Sequence, residues 1–270
     1  MANGLYVYAI TSADARLPES LEDIHGLQGA ALLTVVRRDL AAVASPVDRA
    51  EIQPTAEQVL AHEAVVEGIR RASPSLPVRF GTVLADTEAL QRVLSKQHDT
   101  LAADLARIGD KVELGLSVLW EEPPTETAEE GAGPSPPAPT ADRGAGTRYL
   151  LERLSAHRHQ TALERRAGEV GREVGAVLDP RTLDRRSKLL PTARMPLRAA
   201  YLVNPAEVDA FRAAFEDLRR AHPELRFLLN GPWPPYSFVT PPDPQDGGER
   251  GQAPELAESD ARRKHGEQVA

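Results

Sequence analysis

The sequence predicts an α+β protein built from two α/β-sandwich-like domains. Each is a ferredoxin-like variant with a mainly antiparallel sheet; a long helix opens the second, and a disordered linker and C-terminal tail complete the chain. Three observations predict this. Stretches with period-two alternation, such as Val112 to Trp120, interleave with stretches of 3–4 spacing, such as the run after Thr55. The run "GAGPSPPAPTADRGAG" (131–146) combines Gly, Pro, Ala and polar residues and separates two such sets. The end, "TPPDPQDGGERGQAPELAESDARRKHGEQVA", has no apolar period at all. The expected divisions are 1–120 (first domain), 121–146 (acidic, Pro/Gly-rich linker), 147–240 (second domain) and 241–270 (disordered tail).

"GLYVYAI" is expected as a strand, with Leu5, Val7 and Ala9 on one face and Tyr6, Tyr8 and Ile10 on the other. "GAALLTVVRRDLAAVASPV" reads as a hairpin turning at Arg37-Arg38-Asp39. "TAEQVLAHEAVVEGIRRAS" begins with Thr55 three residues before Gln58, the spacing of a capping box, and carries Val59, Val66 and Ile69 on one helical face. "LPVRFGTVL" is expected as a short strand. "TEALQRVLSKQHDTLAADLARIGD" is expected as one long amphipathic helix, with Leu90, Val93, Leu94, Leu101, Leu105 and Ile108 on one side. "KVELGLSVLW" closes the first domain as an alternating strand, giving the order β-β-β-α-β-α-β.

The second domain opens with a helix from about Thr147 to Leu178. Its seam of Ala156, Leu163, Ala167, Val170, Val174 and Val177 is narrow, and Gly168, Gly171 and Gly175 share a side, which permits close packing or weakens the helix. "LRAAYLV" (strand), "PAEVDAFRAAFEDLRRAHP" (helix) and "LRFLLN" (strand) follow as a β-α-β unit.

Composition narrows the function classes. Of the net charge of −8, residues 121–142 contribute −6 and residues 240–270 contribute −3, so the folded parts are near +1. No basic face points to nucleic acid. No apolar run reaches the roughly 20 residues that span a bilayer, so membrane insertion is not expected. The N-terminus lacks the pattern of a signal peptide. The absence of cysteine removes disulfides, thiol chemistry and the best zinc ligands. These features fit a cytoplasmic protein.

Reactive constellations are scarce. His157 and His159 diverge by about 200° on a helix and do not share a metal. His62, beside Glu63 on a helix, is expected to make a structural hydrogen bond or pack against its neighbours rather than act in acid–base chemistry. There is no GxSxG, P-loop or three-glycine dinucleotide motif, and neither metal nor cofactor is expected. Arg79, between Val78 and Phe80 in an otherwise apolar strand, must point to the open face or find a carboxylate; a salt bridge fixing helix 55–72 onto the sheet is expected rather than a ligand contact. Gly81 allows a bulge or turn at the strand end. In "NGPWPPYSFV" (230–239), Trp233, Tyr236 and Phe238 are gathered among Pro232, Pro234 and Pro235, although the chain has only five Phe, five Tyr and two Trp. The prolines stiffen this ribbon into extended geometry, which points Tyr236 and Phe238 the same way. The ribbon is expected to fold back and close the domain core; the alternative makes part of it, Trp233, an anchor for a partner, and the two are compatible on opposite faces.

"GLYVYAI", "HEAVVEGIRRASPSLPVRFGTVL" and "LRFLLNGPWPPYSFV", in that order, resemble the GvpL/GvpF family of gas vesicle proteins. "GPWPPYSF" is the specific element, and "RFGT" supports it. The resemblance covers about residues 4–120 and 147–240. It implies a non-enzymatic accessory or minor structural protein of gas vesicles, located in the cytoplasm and at the vesicle. Such a protein acts in assembly by contacting the small hydrophobic shell protein and other accessory proteins. His62, Arg79, Phe80, Gly81, Trp233, Pro234, Pro235, Tyr236 and Phe238 are then the family-motif or partner-binding positions. The alternative from another class is a small-ligand-binding or catalytic α+β protein with a pocket near His62 and Arg79.

Overall fold

Both faces of strand β1 (Gly4–Ser12) are apolar, and this places it inside a sheet rather than at its edge. In the computed structural model of the chain, residues 5–11 are all buried. The structure describes residues 3–15, 25–121, 145–192 and 194–241, the side chains of 145–148 and 150–152 excepted. Most of the expected linker and tail lies outside the described residues. The chain is α+β, and its described parts divide into two compact units, one from Met1–Val112 and Trp233–Ala270, the other from Glu113–Pro232.

In the first unit the sheet runs β2-β3-β1-β4, with β5 also on β1, and every one of these pairings is antiparallel. The hairpin is β2 (Leu33–Arg37) and β3 (Leu40–Val47), joined by a two-residue turn at Arg38-Asp39 with Arg38 at φ 55°. The expected strand 76–84 is interrupted. β4 (Ser75–Pro77) pairs with Ala9–Thr11 and β5 (Val83–Leu84) with Leu5–Tyr6. Residues 78–82 therefore stand opposite only Val7 and Tyr8, and three extra residues bulge out. Hydrogen bonds from Val78 N to Tyr8 O (2.8 Å) and from Val7 N to Thr82 O (3.0 Å) close the bulge at both ends.

Helix α1 (Ala56–Ala72) starts where expected, with Thr55 Oγ1 accepting from Gln58 N at 3.3 Å. The return half of the capping box is displaced, because Gln58 Oε1 accepts from Gln53 N instead. The expected single helix 87–110 is two, α2 (Thr87–Lys96) and α3 (His98–Ile108), separated at Gln97 (φ −101°, ψ 14°). The break sits where His98 bonds Asp39 at the hairpin tip as well as its neighbour Asp99.

The second unit holds a four-stranded sheet, β7-β8-β6-β9, with helices α4 (Ala145–Leu178) and α5 (Val208–Ala221). Strand β6 (Val112–Trp120) buries every even-numbered side chain, as its alternation predicts. From Glu113 onward it belongs to this unit, between β8 (Leu197–Val203) and β9 (Leu225–Trp233), rather than closing the first. Alternation identifies a strand but not the sheet that takes it. β7 (Asp184–Leu189, DRRSKL) was not expected as a strand; all six residues are exposed, so it has no apolar period to read. It pairs antiparallel with β8 at the sheet edge. Tyr201 packs on Phe211 and Phe215 on Phe227, with ring centroids 5.2 and 6.1 Å apart, which fixes α5 against one face. Of the expected α4 seam Leu163, Ala167, Val170 and Val174 are buried, while Ala156 is exposed and Leu178, rather than the half-buried Val177, completes it. At Gly175 a Cβ would meet only the movable ends of the Arg185 and Asp179 side chains, and at Gly168 nothing within 4 Å, so neither glycine is required by close backbone packing. Gly231 and Pro232 extend β9 because it is an edge strand, where a missing N–H is tolerated.

Candidate functional site

The segments quoted above for the resemblance meet at one side chain of the first unit, His62. It lies on the face of α1 that also buries Val65, Val66 and Ile69. Tyr6 and Tyr8 reach it from β1, Phe80 from the bulge, and Tyr236 from the ribbon. Tyr8 stacks on the imidazole at 5.7 Å, while Tyr6 and Phe80 meet it edge-on at 5.6 and 5.7 Å.

"RFGT" builds the bulge that delivers Phe80. Gly81 stands at φ +85°, a conformation L side chains resist, and its N–H donates to Tyr6 Oη at 2.9 Å. Thr82 Oγ1 donates back to Arg79 O at 2.8 Å. Gly81→Ala is expected to cost about 1–3 kcal/mol in denaturant unfolding through backbone strain, although space for the methyl group is open.

Hydrogen bonds set the protonation pattern. Tyr236 Oη donates to Glu63 Oε1 at 3.0 Å, so its contact with His62 Nε2 (3.2 Å) requires the imidazole to be the donor. Nδ1 is then the acceptor, and Tyr6 Oη, itself bonded by Gly81 N–H, donates to it at 3.0 Å. One directed chain results: Gly81, Tyr6, His62, Tyr236, Glu63. Burial holds the His62 pKa down at about 4, against the opposing Val78 backbone, so the ring is neutral at pH 7. Burial likewise raises Tyr6, Tyr8 and Tyr236, the last helped by the adjacent Glu63 carboxylate. Glu63 is itself raised by burial, against the hydrogen bond from Tyr236 and with the Glu67 charge adding to the rise.

The ribbon is extended only through Trp233. It then turns, with Tyr236 N donating to Pro234 O and Phe238 N to Pro235 O, so the expected straight alternation of Tyr236 and Phe238 does not hold. Pro234, Pro235 and Phe238 are buried, Phe238 completely, while Trp233 keeps 46% of its surface exposed. A second anchor was not anticipated. Asp104, 3% exposed on α3, accepts from Thr240 N (2.6 Å), Thr240 Oγ1 (3.0 Å) and Arg107 Nη2 (2.6 Å), and Arg107 also donates to Phe238 O at 2.8 Å. A signal was present: Asp104 falls between Leu101 and Ile108, on the apolar stripe of its helix.

Arg79 does not join the cluster. It lies exposed at the bulge and makes no ion pair among the described residues, so the expected salt bridge to α1 is absent. The unpaired bulge removes the constraint that a buried strand position would impose. Two surface hollows, of about 580 and 430 Å³, lie elsewhere, lined by Arg37, Glu88 and Ser95 and by Arg172, Asp179 and Arg185 respectively. Among the described residues no helix is long and apolar enough to cross a membrane, and no group of three or more acidic or histidine side chains is placed to hold a metal ion.

The family described as "Gas vesicle synthesis protein GvpL/GvpF" matches residues 4–240. The chain belongs to this family. Among GvpL/GvpF relatives, it is 31% identical over 257 residues to "Gas vesicle protein L" of Streptomyces sp., covering 87% of this chain and 92% of that one. It is 28% identical over 238 residues to "Gas vesicle protein F2" of Halobacterium salinarum, covering 87% and 91%. Its fold is similar to the crystal structure of GvpF from Anabaena sp., with TM-score 0.68 at 20% identity over 88% of this chain and 96% of that one. In this GvpL/GvpF chain the fold brings "GLYVYAI", "HEAVVEG", "RFGT" and "GPWPPYSF" together around one buried imidazole.

Proposed function

We propose that this GvpL/GvpF chain acts in gas vesicle assembly as a non-enzymatic adaptor, binding the hydrophobic shell protein and other accessory proteins. The observation that carries this is the division of labour within the ribbon. Phe238 and Tyr236 are committed to the core and its hydrogen-bond chain, while Trp233, at the end of the same stiff segment, keeps 46% of its surface exposed. A large aromatic held on a backbone that two buried prolines already fix costs little entropy to bury in a partner. Subunits that form a gas-facing wall carry apolar surface that must be shielded before assembly, and a charged protein with a preformed aromatic anchor serves that purpose. The competing reading, a ligand or catalytic pocket at His62 and Arg79, finds less support. His62 is 0% exposed with both ring nitrogens bonded, and Arg79 lies outside its cluster.

Trp233→Ala tests the anchor. Retention of the co-expressed shell protein on the tagged full chain is expected to fall by about tenfold or more, as for a central aromatic anchor. Unfolding free energy should change by no more than about 1 kcal/mol, as for a side chain half in water. Undiminished retention would remove Trp233 from the interface.

A further inference from the structure

Three of the sheet edges in the two units carry features that block strand addition, and one does not. β7 reads DRRSKL and is charged along its length. β9 contains Gly231 and Pro232. The β4–β5 edge is broken by Pro77 and the five-residue bulge. Charges, proline and bulges are the devices that keep edges from pairing. β2 has neither proline nor bulge, and its one charge, Arg37, sits at the turn end and is bonded to Ser95; Leu33-Thr34-Val35-Val36 is uncharged and rich in β-branched residues, with Leu33 36% and Val36 50% exposed. Among the described residues no strand pairs with its outer side.

The edge is also held ready. Val35 is buried against the core, Arg37 Nε donates to Ser95 Oγ at 2.8 Å, and Asp39 at the hairpin tip bonds His98. Arg37 and Leu40 flank the two-residue turn and are partners in the ladder, so they form a mutually hydrogen-bonded pair. Counting back in twos, Val36 and Thr34 fall at non-bonded positions, where N–H and C=O point away from β3. Those outward groups form the template a further strand would use.

We propose that the outer edge of β2 is the surface that receives the shell subunit, by adding one of its strands to the first sheet. This rests on the reading above that the chain binds the shell protein. The edge selects for an uncharged, β-branched strand, because a charge set beside Leu33 and Val36 would lose hydration without gaining a counter-ion. Arg38 at the turn complements an acidic residue flanking that strand. Five residues span about 17 Å. Paired alone, two copies of this chain would bury far less than the roughly 1,200 Å² of a stable dimer, so the edge fits brief capture of a subunit better than permanent self-association.

Thr34→Pro removes an outward N–H without touching the ladder to β3, and Val36→Lys places a charge on the edge. In the full chain co-expressed with the shell protein, each is expected to cut retention by about tenfold, equivalent to one lost contact of ordinary size. Neither should move the unfolding midpoint by more than about 2 °C. Wild-type retention in both variants overturns the edge assignment while leaving the adaptor reading intact. No retention by the wild type overturns both. A wild-type dimer that Thr34→Pro converts to monomer assigns the edge to a second copy and overturns the assignment to the shell subunit.

Discussion

Phe238→Ala is expected to lower the unfolding free energy of the first unit by about 3–5 kcal/mol, the cost of deleting a fully buried phenylalanine that its surroundings cannot close over. The site has little freedom to collapse. On one side the ribbon is pinned by Tyr236 to His62 and Glu63. On the other, Arg107 holds the Phe238 carbonyl and Asp104 holds Thr240. With both flanks tied, the void stays open and the upper part of the range applies. Total stabilities run to only about 5–15 kcal/mol, so the loss should be plain in a urea titration of the full chain. It should also be selective: the two compact units allow separate transitions, and only the one reported by first-unit probes should shift. A loss below about 1 kcal/mol, comparable to a surface substitution, would mean that the ribbon is not part of the core.

Much of this was legible in the sequence, for physical reasons that also explain what was not. Period-two burial along β6 and the apolar stripes of α1 and α5 follow directly from side-chain spacing, because one face of each element is dry. β7 offered no such signal, since an edge strand with six exposed residues has no dry face. The break between α2 and α3 coincides with His98 reaching Asp39, 59 residues away, a contact no local pattern encodes. The expected salt bridge of Arg79 failed for a related reason. The expectation assumed a continuous strand, and the bulge at 78–82 puts Arg79 outside while turning Phe80 in. In the candidate site, the structural role expected of His62 holds, and the aromatic ribbon does close the core. What could not be read was their meeting, across 174 positions, at a single hydrogen bond.

That meeting changes what the resemblance segments encode. His62, Glu63 and Tyr236 are bonded to one another inside the first unit and act there as an internal lock. Each polar atom in the chain from Gly81 to Glu63 has its donor and acceptor matched, which is the condition for a buried polar network to hold one arrangement rather than several.

The lock has a predicted dependence on pH. His62 titrates at about 4 in the folded chain against 6.5 when unfolded. The unfolded chain therefore binds the extra proton between these values, and stability falls as pH is lowered from 6.5 toward 4. The shift of roughly 2.5 units corresponds to a loss on the order of 3 kcal/mol by pH 4, with little further change from this group below it. Two other groups of the first unit act in the opposite sense. Glu63, raised by burial, gains its proton in the folded state first, and His98, raised by Asp99 and Asp39, favours the folded state while charged and loses that contribution as pH rises through its folded value. The measurement that isolates His62 is a comparison of wild type with His62→Gln. The amide cannot titrate but can still donate to Tyr236 and accept from Tyr6, and the His98 contribution is common to both proteins. Urea midpoints should separate by less at pH 4 than at pH 7, because the wild type alone loses stability on acidification through His62. Parallel curves across that window would mean that protonating the imidazole costs nothing, and the buried, directed chain through His62 would have to be abandoned.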